Sequence, residues 1–273
     1  MRVLIVGCGY VGQALAKLYL NQGAAVWALQ RHAVNMEGLH NILCDVTSID
    51  PQQLPEVDLV YYLVAPQSSD ESAYVDVYDK GIKQVITALT AKSNPKLILC
   101  SSTRVYGQCQ GEEVDEHSIT LPQEPLGNLI LKAEHRVLSI ANSMVVRFGG
   151  IYGPNRVKLL EDIVNNRATL SPTPVYTNRI HLNDCAGILH FLAKIQEPAS
   201  IFLGVDSEPV LYNDMIKWLA AELNAPEPVI GEKPPQRLIN SNKRCLNHKI
   251  ISFGYQFEYP TFREGYRSIL EQR

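Results

Sequence analysis

The feature that most constrains this chain is Gly7-Cys8-Gly9-Tyr10-Val11-Gly12, set between the apolar run Val3-Leu4-Ile5-Val6 and a helical pattern through Leu15, Leu18 and Leu20. Glycines at this spacing also arise by chance, so the flanks carry the weight: a buried strand before, a helix after. In that setting the first glycine permits a tight turn and the second lets main chain approach a diphosphate. The third allows close helix-strand packing, while helix N–H groups face the anion. Gly7, Gly9 and Gly12 fill those places, with Tyr10 and Val11 in the first helical turn, and the chain is expected to hold a dinucleotide.

The rest of the first half repeats the unit. Strands are expected over 24–30, 41–44, 59–65, 96–101 and 144–148, with helices around 72–92 and 128–141 between the later ones. Alternation of this kind implies right-handed crossovers and an α/β fold, a doubly wound parallel sheet of Rossmann type. After Gly149 the texture turns to proline-rich loops around helices near 157–166, 183–194 and 211–224. The expected organisation is a nucleotide-binding core over 1–150, joined again by 176–205, and a smaller C-terminal substrate-capping lobe from 151–175 and 206–273.

Composition narrows the partners. Lys and Arg total 25 against 28 Asp and Glu, which gives no electrostatic reason to expect nucleic acid. No apolar stretch approaches about 20 residues and no signal peptide precedes the first strand, so a cytoplasmic protein without membrane contact is expected. The six cysteines are scattered with no metal-ligand spacing, and no metal is expected. Cys8 alone lies at a helix start, where a thiolate is favoured, against the plainer reading of a buried thiol.

The end of the second strand bears on NADP against NAD, because a carboxylate there binds the ribose hydroxyl and repels a 2′-phosphate. The chain has Gln30-Arg31-His32 instead, and Arg31 offers a planar fork suited to phosphate. NADP is therefore expected, with NAD as the alternative and an ordinary surface arginine as the plain reading. Asp45, after the third strand, is placed to meet the adenine or to cap a turn. Val64, Ala65 and Ser101 complete the expected cofactor-facing set.

Taken together, the glycine turn, Ser101-Ser102-Thr103-Arg104-Val105-Tyr106-Gly107, Val146-Arg147-Phe148-Gly149-Gly150-Ile151-Tyr152-Gly153-Pro154 and Arg179-Ile180-His181-Leu182-Asn183-Asp184 resemble the extended short-chain dehydrogenase/reductase superfamily, of NAD-dependent epimerase/dehydratase type. The resemblance covers nearly the whole chain. It implies a nicotinamide cofactor, a small polar or nucleotide-sugar substrate, and a homodimer formed through the helices around 72–92 and 128–141. It also implies a Tyr with Lys four residues later, and none of the 13 tyrosines has one. If Lys132 is the family Lys, Asn128 holds the Tyr place; if Glu134 sets the register, the two places hold Leu126 and Ile130. The family's supporting Asn, three residues before the Gly that matches Gly81, is here Tyr78.

Ser102 matches the hydroxyl that the family sets on the reacting oxygen, and a strand-end Ser bonded to local backbone is its plain reading. Thr103 and Arg104 stand where sugar dehydratases of this type carry an acidic pair. Tyr106 and Tyr152 leave strands toward the cofactor side and could replace the missing phenol, or simply pack. Thr103, Asn155, Arg156, Arg179 and His181, with Arg147 beside them, could meet an anionic substrate, or be solvated loop cations. Asp184 reads as a helix cap. Two functions stay open: an oxidoreductase or epimerase-like enzyme, and a non-catalytic NADP-binding sensor that has lost the couple.

Overall fold

A computed structural model describes residues 1–90, 95–197, 200–235, 238 and 240–272. The first half runs β1 (Arg2–Val6), α1 (Tyr10–Asn21), β2 (Ala25–Gln30), β3 (Leu39–Leu43), β4 (Leu59–Tyr62), α2 (Glu71–Val75), α3 (Ile82–Thr90), β5 (Lys96–Ser102), β6 (Glu112–Val114), α4 (Pro125–Leu138) and β7 (Ser143–Phe148). The second runs β8 (Gly150–Tyr152), α5 (Lys158–Val164), β9 (Tyr176–Thr177), β10 (Arg179–His181), α6 (Leu182–Leu192), β11 (Ser200–Gly204), β12 (Val210–Leu211), α7 (Tyr212–Glu222), β13 (Lys243–Cys245), α8 (His248–Ser252) and α9 (Phe262–Leu270). A π-helical turn over Asp76–Gly81 joins α2 to α3. The expected end of that helix at 91–92 lies outside the described residues.

The chain forms two compact units. The first comprises 1–105, 122–147 and 185–202; the second comprises 106–121, 148–184 and 203–273. The main sheet has the order β11-β7-β5-β4-β1-β2-β3, with β3, β2, β1, β4 and β5 paired in parallel. Val3 to Val6 and Leu59 to Tyr62 are buried residue after residue, because helices cover both faces of a parallel sheet and leave no polar side. Tyr19 and Tyr61 satisfy their hydroxyls inside this core, 2.6 Å apart, and Tyr61 also donates to the Leu189 carbonyl at 3.0 Å. Lys96 donates to the carbonyls of Leu192, Ala193 and Ile195, placing its cation at the C-terminal end of α6.

In the second unit, β6 pairs with β13 and β8 with β10, both parallel, while β9 pairs antiparallel with β12. Its core gathers Leu160, Ile163, Met215, Ile216, Leu219, Phe262, Tyr266 and Ile269 from α5, α7 and α9. Helix α9 starts in a capping box, Thr261 bonding the first turn and Glu264 reaching back. Residues 106–121, 148–150, 176–184 and 203–205, grouped with the sheet on sequence, fall in this unit, where β6 pairs with β13 and β8 with β10.

Candidate functional site

Parallel pairing puts the carboxyl ends of β1, β2, β3, β4 and β5 on one edge of the first unit, and the turns leaving them carry Gly7, Arg31, Asp45, Val64 and Ser102. Gly7 sits at φ +91°, and a Cβ there would stand 2.6 Å from the Val64 nitrogen, so the turns after β1 and β4 touch backbone to backbone. A Cβ at Gly12 would meet the Gly7 carbonyl oxygen at 2.7 Å. Gly9 differs: a Cβ would meet nothing within 4 Å. It is the N-cap of α1 and has no side chain of its own to cap it, and no acidic residue occupies the first turn, formed by Tyr10, Val11 and Gly12. Space left clear at Gly9, at an acid-free helix start whose N-cap carries no side chain, fits a diphosphate.

Around it, the Gln30 amide donates to Asn41 Oδ1 at 3.0 Å, tying β2 to β3 and leaving Arg31 exposed at the strand end. The Asp45 carboxylate accepts from Thr47 N–H at 2.9 Å and Thr47 Oγ1 at 2.7 Å. Those bonds, with the Arg31 charge as a lesser cause, hold it below the usual carboxylate range, and its side chain caps a turn. Cys8 is buried, and burial pushes its thiol up to about 11, opposite to what a redox thiolate needs.

Ser101 and Ser102 end β5 and point to different partners. The Ser101 hydroxyl donates to Glu134, which is fully buried and receives Arg147 through Nη2 at 2.7 Å and Nε at 3.0 Å. The sequence sets Ser101 toward a cofactor and Arg147 toward a substrate; the Arg147 side chain instead forms an internal ion pair with Glu134, which also accepts from Ser101, because Glu134 on α4 and Arg147 on β7 compensate each other away from water. Among the described residues the Ser102 hydroxyl accepts only the N–H of Arg104, at 3.2 Å, beside Thr103. Arg104 itself is paired with Glu124 and donates to Tyr74 Oη at 3.1 Å. On α4, Ile130 shares the buried face with Glu134, whereas Asn128 is exposed and Lys132 extends toward Asp79 in solvent, 3.8 Å away.

The other candidates lie in the second unit. Tyr106 is buried and donates to the Asp115 carbonyl at 2.7 Å. Tyr152 is packed in the second core, its ring stacked on Tyr266 at 4.3 Å. The Tyr106 hydroxyl is thus engaged on a carbonyl, whereas the Tyr152 hydroxyl is buried without a hydrogen-bond partner among the described residues. Asn155 occupies a turn at φ +65°, and exposed Arg156 reaches the Ile151 carbonyl at 3.4 Å. Arg179 and His181 are not loop cations but buried side chains of β10. Asp184 does not cap its own helix: its carboxylate accepts from Tyr255 Oη and from the N–H groups of Glu258 and Tyr259, fastening the 255–259 loop. Glu134 entered the sequence reading only as a register mark, and Asp206 not at all.

Burial holds the His181 imidazole down at about 4, against an unfolded value near 6.5. The unfolded chain therefore takes up the proton first. Stability from this group is complete above pH 6.5 and is lost as pH falls toward 4, by up to about 3 kcal/mol. In urea titrations from pH 7 to 4.5, His181→Asn is expected to lose less stability on acidification than the parent; parallel losses would contradict a neutral buried ring.

A family model described as the NAD dependent epimerase/dehydratase family matches residues 3–179. Protein YeeZ of Escherichia coli K12 is 24% identical over 292 residues, covering 95% of this chain and 96% of its own. A Methylobacillus flagellatus protein assigned as an NAD-dependent epimerase/dehydratase superposes with TM-score 0.83 at 29% identity, covering 99% and 98% of the two chains. Human epimerase family protein SDR39U1, solved with NADPH, superposes at 0.81 with 19% identity over 100% of both chains.

Proposed function

Since the chain belongs to the NAD-dependent epimerase/dehydratase family, we propose that it is an NADP(H)-binding oxidoreductase or epimerase-like enzyme of the cytoplasm acting on a small polar or nucleotide-sugar substrate. The observation that carries this reading is the space left clear at Gly9, at a helix start whose N-cap carries no side chain, between Gly7 and Gly12. Arg31, with no carboxylate beside it at the end of β2, supports a 2′-phosphate and hence NADP over NAD. The human relative solved with NADPH and the Methylobacillus protein agree with a nicotinamide ligand. Gln30, Asp45, Val64 and Ala65 line the remaining strand ends.

A bound nicotinamide supplies or accepts hydride. Ser102, whose hydroxyl accepts a local N–H, orients the substrate oxygen, with Thr103 next to it. Asn155, Arg156, Arg179 and His181 are the substrate-contacting groups of the second unit. With Tyr106 and Tyr152 packed inward, solvent carries the proton of that oxygen. Arg104, paired with Glu124, does not offer the acidic group that dehydration would need at its position. A homodimer is part of the same reading.

The absent Tyr/Lys couple favours a second reading, a non-catalytic NADP-binding regulator. The two separate in one assay: NADPH with a panel of sugar nucleotides and small carbonyls, followed by cofactor absorbance. The enzyme reading expects turnover with at least one substrate, cut about 10²-fold or more in Ser102→Ala. It also expects Arg31→Ser to weaken NADPH about tenfold to a hundredfold while leaving NADH unchanged. Tight nucleotide binding with no turnover across the panel establishes the regulator instead.

A further inference from the structure

Six buried side-chain polar atoms lack a protein partner among the described residues, and four of them gather in one place in the second unit: Tyr152 Oη, Arg179 Nε, His181 Nε2 and Asp206 Oδ2. The register of β8 with β10 sets Gly150 opposite Arg179 and Tyr152 opposite His181, so these side chains share one face of the two-stranded ladder. Glycine at 150 makes room, since a Cβ there would stand 3.2 Å from Arg179 Nη1; the Tyr152 hydroxyl likewise lies where a side chain on Gly265 would be. Asp206 joins through its N–H, which donates to the Arg179 carbonyl at 2.7 Å, and its Oδ1 accepts from Glu208 N–H at 3.2 Å. The rings of Tyr152 and His181 meet edge to face, centroids 5.4 Å apart.

The exposures are 2% for Tyr152, 8% for Arg179, 2% for His181 and 1% for Asp206. A guanidinium so enclosed normally has a carboxylate on it, yet Arg179 makes no ion pair among the described residues. His181 Nδ1 accepts from Asn183 N–H at 3.2 Å, which leaves the proton of the neutral ring on Nε2. Arg179, His181 and Tyr152 therefore present donors that no protein atom receives. Leaving several such groups unmet costs about 1–3 kcal/mol each, so a fold that keeps them together implies something that accepts from them.

We propose that this cluster is a carboxylate-binding site, in which a small organic acid or acidic sugar places its carboxylate on the Arg179 guanidinium and accepts from Tyr152 and His181. The proposal rests on the reading of Arg179 and His181 as substrate-contacting groups and names the chemistry they recognise. A planar carboxylate matches the guanidinium fork in two parallel bonds. One negative charge balances the single guanidinium, whereas a phosphate dianion brings a second that Arg179 does not balance. Burial raises the Asp206 carboxyl well above its usual range, which favours its protonated form beside a bound anion.

Calorimetry of the full chain with acetate, D-glucuronate, D-glucose and inorganic phosphate tests this. Acetate and D-glucuronate are expected to bind and glucose and phosphate are not; heat from acetate as well as glucuronate marks a free-acid site, from glucuronate alone an acidic-sugar site. Arg179→Met is expected to weaken binding at least tenfold. Tyr152→Phe keeps the core filled, so it folds if Arg179→Met does not, and is expected to weaken binding about threefold to tenfold. No heat from either carboxylate, or unchanged heat in Tyr152→Phe, overturns the proposal and leaves ordered water as the cluster's partner. Phosphate binding in place of carboxylate overturns it too. NADPH titrated into the same samples separates the two failures: nucleotide bound without carboxylate removes only this inference.

Discussion

Gly7→Ala is expected to cost about 3–5 kcal/mol of folding stability and to remove nucleotide binding with it. Two effects add. At φ +91° any side chain is strained, by about 1–2 kcal/mol. The new Cβ would also sit 2.6 Å from the Val64 nitrogen and 2.8 Å from the Leu63 carbonyl carbon, and those are backbone atoms of the turn after β4 that no rotamer can clear. Relief requires β1 and β4 to part, yet they are paired from Val3–Leu59 to Val6–Tyr62 in the centre of the sheet. Gly23 is the internal control: its φ is +73° but a Cβ meets nothing within 4 Å, so Gly23→Ala should cost only the strain, about 1–2 kcal/mol. Urea unfolding of the two variants measures the difference. Equal losses would mean that the close approach of the two turns is not real.

Arg147→Met is expected to destabilise by about 3–5 kcal/mol, because it strands the fully buried Glu134 carboxylate with the Ser101 hydroxyl as its remaining partner. The loss reflects an unpaired charge more than the value of the pair. Replacing both partners, Glu134→Leu with Arg147→Met, should therefore recover most of it. A double variant as unstable as the single would show that the pair contributes net stability, contrary to this account. The single variant also loosens Ser101, and through it the end of β5 that carries Ser102; a fall in turnover beyond the loss of folded protein would report that displacement.

The sequence made the nucleotide edge legible because its signals are local. Three glycines, an apolar run before them and a helical period after them fall within 20 residues, and each has one physical reason to be there. The same holds for the absence of a carboxylate after β2. What stayed hidden depends on tertiary placement. Nothing near Arg147 signals burial except the apolar company of β7, buried at all six positions, and its partner lies 13 residues away on another element. Charged residues are exposed so often that Arg147, Arg179 and His181 read as solvent-facing.

For Tyr106 and Tyr152 the limit is the opposite one. Leaving a strand toward the ligand side fixes where the main chain goes, not which way a phenol turns, and both turned into apolar packing or a backbone carbonyl. Asp206 offered no local pattern, since its place beside Arg179 comes from a hydrogen bond between segments 27 residues apart. Helix α9 is marked locally: Thr261 and Glu264 form a capping box, and Phe262, Tyr266 and Ile269 recur at helical steps.

The most direct test is titration calorimetry of the purified chain with NADPH and NADH. One site per chain is expected, with NADPH bound at least about tenfold more tightly through Arg31. Absence of heat with both nucleotides would contradict the account at its root, because the main chain at Gly9 would then hold no diphosphate.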